Sequence, residues 1–159
     1  DFSIDATRLI TLDVVRNELL TQLANDPAFA GDFDALAVDR VTLDGNPEWR
    51  TTATMVWRKG DFGAGLSARY VGGFVDTSAD PDLNGDGILD FFPVEESIRV
   101  NGYLDYRISG LPLESARVLL GVNNIFDEAP PLVDDARGWL PEYHSVKGRE
   151  FYLQIRAEF

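Results

Sequence analysis

Over six stretches of this chain, apolar and polar residues change places at every second position. Such period-two alternation marks a strand with one greasy face and one wet face. It is plainest in "GREFYLQIRAEF", where Phe151, Leu153, Ile155, Ala157 and Phe159 alternate with Tyr152, Gln154, Arg156 and Glu158. "EWRTTATMVWR" sets Trp49, Thr51, Ala53, Met55 and Trp57 against Arg50, Thr52, Thr54, Val56 and Arg58. "FGAGLSARYVG" puts Phe62, Ala64, Leu66, Ala68 and Tyr70 on one side. "SIRVNGYLDYRI" opposes Ile98, Val100, Gly102, Leu104, Tyr106 and Ile108 to Ser97, Arg99, Asn101, Tyr103, Asp105 and Arg107. "ARVLLGVNNIF" offers Val118, Leu120 and Val122, and "FSIDATRLITL", from Phe2 to Leu12, alternates less regularly.

The pattern therefore predicts six strands of about 10 to 12 residues. Strands of water-soluble domains average about 5 to 6 residues, whereas membrane-spanning strands need about 9 to 11. The connections at 13–47, 59–61, 73–96, 109–115 and 127–147 are 35, 3, 24, 7 and 21 residues long, so long and short alternate. Outer-membrane barrels have that rhythm, with short periplasmic turns and long external loops. One helical pattern interrupts it. In "LDVVRNELLTQLAND", Val14, Leu19, Leu20 and Leu23 share a face and Pro27 ends the run, which predicts a short loop helix.

Charge divides along the same line. The three long connections hold seven, seven and five acidic residues, 19 of the 27 in the chain, but only Arg16, Arg40, Arg137 and Lys147 of its 14 basic ones. Most arginines instead lie on the polar faces of strands, as in a polar barrel lumen. Arg50, Arg99, Arg107 and Arg156 are expected there, paired with carboxylates such as Asp105 and Glu158. Aromatic residues close the apolar faces: Trp49 and Trp57 on one strand, Phe62 and Tyr70 on the next. Their spacing corresponds to roughly 20 Å along the membrane normal for a tilted strand, near the separation of the two aromatic girdles of a barrel.

Length and composition, 159 residues with 45% hydrophobic and 26% charged, fit one folded domain rather than a disordered chain. A net charge of −13 argues against a nucleic-acid partner, which needs a basic surface. The absence of cysteine excludes disulfides and thiolate metal sites. No apolar run is long enough for a transmembrane helix. The chain opens on Asp1 without a recognisable signal peptide, and is expected to be a processed chain or a fragment.

Four stretches, in order, resemble the C-terminal part of the β-barrel of a TonB-dependent outer-membrane receptor. "NPEWRTTATMVWRKGDFGAGLSARYVGGF" is similar to that family's Pro-x-x-Arg hairpin ending in Arg-Tyr-x-Gly, and "LDYRIS" to its next strand. "LLGVNNIFDEAPP" resembles its penultimate strand, and "GREFYLQIRAEF" its terminal one. The resemblance covers about residues 46–159, with 1–45 fitting loosely. It implies an all-β fold: an antiparallel transmembrane β-barrel segment, about six C-terminal strands of a 22-stranded barrel. The plug domain and some sixteen strands would lie upstream. The implied activity is TonB-dependent uptake of a scarce solute such as a siderophore, cobalamin or a carbohydrate, with this chain supplying barrel wall and acidic external loops. The implied partners are outer-membrane lipid, the missing strands and plug, the TonB complex and the barrel-assembly machinery, for which Phe159 would be the assembly signal.

Candidate chemistry is sparse. In "DLNGDGILD", Asp82, Asn84, Asp86, the Ile88 carbonyl and Asp90 have the spacing of a calcium loop, with Gly87 at the turn. Its twelfth position, usually Glu, is Pro93, so Glu95 or Glu96 would have to complete a Ca2+ site. His144 is the lone histidine and is expected at the surface; Asp134, Asp135 and Arg137 are loop residues with possible access to a solute. No catalytic triad, phosphate cradle or nucleophile elbow is present, and no enzyme is expected. Two other readings compete. One is a soluble, calcium-stabilised β-sandwich that binds a glycan or protein; the other is a small barrel completed by oligomerisation.

Overall fold

The computed structural model describes residues 1–12, 40–77, 92–110, 115–133 and 137–158. Eight strands are present: β1 (Phe2–Arg8), β2 (Trp49–Lys59), β3 (Phe62–Val71), β4 (Phe74–Asp76), β5 (Phe92–Val94), β6 (Ser97–Ile108), β7 (Ser115–Asn123) and β8 (Glu150–Glu158). Six of them form one antiparallel sheet in the order β1-β2-β3-β6-β7-β8, and β4 pairs with β5 in a separate ladder. The large sheet is open, with β1 and β8 as its two edges. Among the described residues no strand joins those edges into a closed barrel. The described residues contain no helix, and the stretch expected to form the loop helix lies outside them, except for Leu12.

Register decides which side chains share a face, because a slip of one residue turns a whole strand over. Across the sheet Met55 stands opposite Leu66, Leu66 opposite Gly102, Gly102 opposite Val122 and Val122 opposite Phe151. One row along, Ala64, Leu104, Leu120 and Leu153 line up in the same way. All six alternating patterns thus bring their apolar positions to a single face. That face is bare: Leu104 is 61%, Leu153 63% and Phe2 67% exposed. Its aromatic residues collect toward the two ends. Trp57, Phe62 and Tyr106 lie toward the short turn, with the Phe62 and Tyr106 rings 4.8 Å apart, and Trp49 and Tyr70 lie toward the long connections.

The polar face is held in register by shape. Tyr103 of β6 stands opposite Gly65, and Tyr152 of β8 opposite Gly121. A Cβ on either glycine would collide with the facing tyrosine ring, so each ring occupies the space that the missing side chain leaves. Aromatic cover of a strand glycine offsets the loss of packing there. At the short end, β2 and β3 are joined by Gly60 and Asp61 alone. Gly60 has φ 59°, which suits the first position of a type II′ hairpin.

The connection 73–96, expected to be all loop, contains β4 and β5. Phe74 pairs with Val94 and Asp76 with Phe92, so the ladder closes the stem of the segment between them. Periodicity does not reveal a strand of three residues. Around this ladder lies the main hydrophobic cluster of the described residues: Phe74, Val94 and Val133, with Phe92 and Leu140 packed on it. The turn at 40–47 braces it. Asp44 accepts hydrogen bonds from the Thr77 amide at 2.8 Å and hydroxyl at 2.7 Å, and its own amide donates to the Val75 carbonyl. The loop end of the sheet therefore carries a small core of its own, and in the long strands Val71 and Ala116 are the only buried apolar side chains among those described.

β7 ends three residues earlier than its alternation predicts, because Asn124 turns the chain at φ 54°. Asn124 is 1% exposed and fully bonded. Its amide donates to the Asn101 side chain on β6, its Nδ2 donates to the Glu128 carbonyl, and its Oδ1 accepts from the Glu128 amide, each at 2.9 Å. Asp127 continues the turn at φ 58° and accepts from the Arg149 amide at 2.6 Å, just before β8. The turn ties β6, β7 and β8 together. Asn124→Ala is expected to lower unfolding stability by about 2–4 kcal/mol, because it removes the side-chain bonds to the Glu128 amide and carbonyl and strains a positive φ. Asn124→Gly removes the same bonds without the strain and should lie about 1 kcal/mol above it in denaturant unfolding. Equal stability of Asn124→Ala and the parent would refute the bonding role.

Candidate functional site

The polar face of the sheet gathers two groups of arginines. Toward the short turns, Arg107, Arg117 and Arg156 stand directly opposite one another on β6, β7 and β8. Like charges in that relation repel. One carboxylate lies beside the row: Asp105, whose side chain is 2% exposed, accepts a hydrogen bond from Arg117 Nε at 2.8 Å and lies 3.8 Å from Arg58. Gly63 faces Asp105 across β3, and a Cβ there would strike the carboxylate. A glycine at that position gives the buried acid its space.

This pairing differs from the expected one. Arg117, which alternation places on the polar face, holds Asp105 in place of the expected arginines. Arg107 and Arg156 make no ion pair with a described residue, and Glu158 accepts from the Ser115 hydroxyl at 3.0 Å. The cause is register. Asp105 faces Leu119, so Arg117 is its diagonal neighbour, within reach of a long side chain. Face parity can be read along one strand, but cross-strand neighbours cannot.

Toward the long connections, Arg69 of β3 stands directly opposite Arg99 of β6. Here the segment 137–146 folds over the polar face. The Arg99 guanidinium donates to the Ser145 carbonyl, and the Arg50 guanidinium lies over the Tyr143 ring at 5.7 Å. A turn in which the Tyr143 and His144 amides both donate to the Leu140 carbonyl presents His144 to the same place. A cleft of about 270 Å3 results, lined among others by Arg69, Arg99, Ser97, Pro130, His144 and Ser145. Neither aromatic Tyr143 nor the two arginines Arg50 and Arg99 come from neighbouring parts of the sequence; the loop brings them together.

His144 is the second correction. It is half-buried rather than a surface residue, and both ring nitrogens are shielded from water with no partner among the described residues. Burial, together with the positive charges of Arg69 and Arg99, pushes its pKa below the ordinary 6.5. The nearby Leu140 carbonyl, which makes no hydrogen bond to the ring, opposes that shift only in part.

The remaining expected site residues fall elsewhere. Asp82, Asn84, Asp86, Ile88 and Asp90 of the calcium motif lie outside the described residues, as do Asp134, Asp135 and Phe159. Pro93, at the motif's twelfth position, belongs to β5, and Glu96, one of the two glutamates that would have to replace it as a ligand, accepts from the Tyr70 hydroxyl at 2.7 Å. Among the described residues no three His, Asp or Glu side chains converge as a metal site. No helix among them is long and apolar enough to cross a membrane. No family model, curated protein or solved structure matches the chain.

Two outcomes follow from these contacts. Arg117→Gln strips a buried carboxylate of its main partner, and about 3 kcal/mol of stability should be lost in denaturant unfolding, while Arg156→Gln should cost under about 0.5 kcal/mol. Similar losses from the two variants would show that Asp105 does not depend on Arg117. The depressed His144 pKa means that the unfolded chain binds a proton more readily than the folded one. Stability should thus be full above pH 6.5 and decline as pH falls below it, by no more than about 1.4 kcal/mol per pH unit. The decline between pH 7 and 5 should shrink in His144→Gln; an unchanged profile would clear His144 of the effect.

Proposed function

We propose that this chain forms part of the wall of an outer-membrane β-barrel of the TonB-dependent receptor kind, and takes part in the uptake of a scarce solute. The observation that carries the reading is the bare apolar face of the six-stranded sheet. Phe2, Ile4, Met55, Leu66, Leu104, Leu120, Leu153 and Ile155 all lie on it, and each is more than two-fifths exposed. A continuous apolar face of this extent is rare on a protein surrounded by water and needs a partner surface. Lipid supplies one along its whole length, and strands of 9 to 12 residues such as β2, β3, β6, β7 and β8 suit the thickness of a bilayer. The opposite face, with its arginines and inward-folded loop, then lines the lumen.

The resemblance in residues 46–159 orients the chain. The short turns after β2 and β6 face the periplasm, and the acidic connections face outward, where the solute arrives. The open edges at β1 and β8 pair with the remaining strands of the barrel, since an unpaired strand edge does not persist in lipid. A soluble sandwich would instead need a second sheet over the apolar face. The only other ladder among the described residues is β4–β5, three residues per strand, and it packs at the loop end.

The full-length protein should require detergent for extraction and run at a different apparent size before and after boiling. A monodisperse, detergent-free monomer would overturn the proposal, and a ring of several short chains would point to the oligomeric barrel. Leu120→Arg places a charge in the middle of the apolar face between Leu104 and Leu153. In lipid it should cost about 2–4 kcal/mol. Gln154→Arg, on the polar face, should cost far less.

A further inference from the structure

We infer that the cleft between Arg69, Arg99 and His144 is a subsite for an oxyanion, a carboxylate or phosphate group on the solute that the protein captures. The identity of that solute as cargo rests on the uptake reading above; the binding chemistry of the cleft does not. Three observations converge on it. First, Arg69 and Arg99 stand directly opposite each other on β3 and β6, in a chain with nearly twice as many acidic as basic residues. Two guanidinium groups in that relation repel. Yet no carboxylate among the described residues forms an ion pair with either. Arg99 spends one donor on the neutral Ser145 carbonyl. Glu128 and Glu142 line the same cleft, but both side chains are exposed and neither engages the arginines.

Second, His144 lines the cleft beside this positive charge, and both its ring nitrogens are shielded from water without a hydrogen-bond partner among the described residues. A buried polar group left without a partner is costly, and a neutral imidazole always offers one N–H donor. Third, the segment that carries His144 is itself tied down around the cleft by Arg99 at Ser145 and Arg50 at Tyr143. Arg99 and the segment that carries His144 are therefore held before any ligand arrives, which lowers the entropic cost of binding. Planar guanidinium forks match carboxylate and phosphate oxygens, two bonds at a time. About 270 Å3 accommodates one such group and the atoms that bear it.

An oxyanion held here offsets the repulsion between Arg69 and Arg99 and favours the charged imidazole. Its binding must raise the pKa of His144, and by linkage it must bind more tightly as pH falls toward that pKa. Arg50, Glu128, Glu142 and Tyr143 are the other charged or titratable groups around the cleft. The glutamates weaken the effect without reversing it, because they lie at the exposed rim.

The test is a titration of the full-length protein in detergent micelles with citrate, with inorganic phosphate and with chloride, read by NMR of the His144 imidazole. The signal is assigned by its loss in His144→Gln. Citrate or phosphate should give a saturable shift and an upward move of the His144 pKa, whereas chloride at matched ionic strength should give neither. The anion that responds names the group. Arg69→Gln and Arg99→Gln should each weaken binding about tenfold, the effect of losing one charge-assisted partner. No saturable shift in the folded parent up to about 10 mM, where even a millimolar site fills, would overturn the inference. So would an equal response to chloride, or undiminished binding in both arginine variants. A detergent-free monomer would defeat the uptake reading and leave this readout intact, so the two fail separately.

Discussion

Everything distinctive about this sheet depends on one constraint, an unbroken cross-strand register. Six strands, four of them joined directly and two more reached through long connections, hold their apolar positions on the same face from β1 to β8. A slip of one residue at any pair would put arginines among leucines. The register is secured at the places where backbone or side chain leaves no alternative. Gly60 shapes the two-residue turn between β2 and β3. The rings of Tyr103 and Tyr152 fill the spaces at Gly65 and Gly121. Asn124 ties the end of β7 to β6 and to the approach of β8. None of these devices buries much apolar surface. They select one arrangement; in the membrane reading proposed above, lipid supplies the stabilisation that a core provides elsewhere.

That division explains why so little of the chain is buried. The hydrophobic cluster of Phe74, Val94 and Val133 belongs to the loop end, around the β4–β5 ladder, and not to the sheet. Loop segments usually lie on a surface and borrow stability from the elements they connect. Here the relation is inverted at one end. The loops hold a packed core and bonded turns, while the long strands present their greasy residues outward. The loop at 137–146 folds over the polar face and not over the apolar one, although covering the apolar face would bury more hydrocarbon. Its anchors are Arg50 and Arg99, so charge and hydrogen bonding decide where it goes.

Much of this was legible in the sequence, and the boundary of legibility has a physical cause. Alternation assigns a residue to a face without knowledge of any neighbour, so the faces of β2, β3, β6 and β8 follow from the sequence alone. Partners across strands depend on register, which single strands do not encode. Thus Asp105 was foreseeable as a polar-face carboxylate, but its bond to Arg117 rather than to Arg107 was not. β4 and β5 are too short to show a period. His144 looked like a surface residue because nothing in its local sequence reports that Arg99 captures the carbonyl of the next residue and draws the turn inward. Asn124 sits in "GVNNIF", where alternation runs on past the true end of β7; the bonds that stop the strand come from Asn101 and Glu128, 23 and 4 residues away.

The distribution of charge raises a last question, why an acidic chain keeps its arginines on one face of one sheet. Repulsion between exposed charges fades beyond a Debye length, about 8 Å at physiological salt. Acidic residues in the long connections therefore act on Arg69 and Arg99 only where they come close; among the described residues Glu128 and Glu142 line the cleft but form no ion pair with either arginine. Cross-strand neighbours, by contrast, lie about 5 Å apart, where the repulsion is felt in full. A single carboxylate, Asp105, answers this at the short-turn end. At the loop end the corresponding place is open to solvent through the cleft. The two ends thus share one electrostatic problem, solved internally at the first and left to an incoming anion at the second.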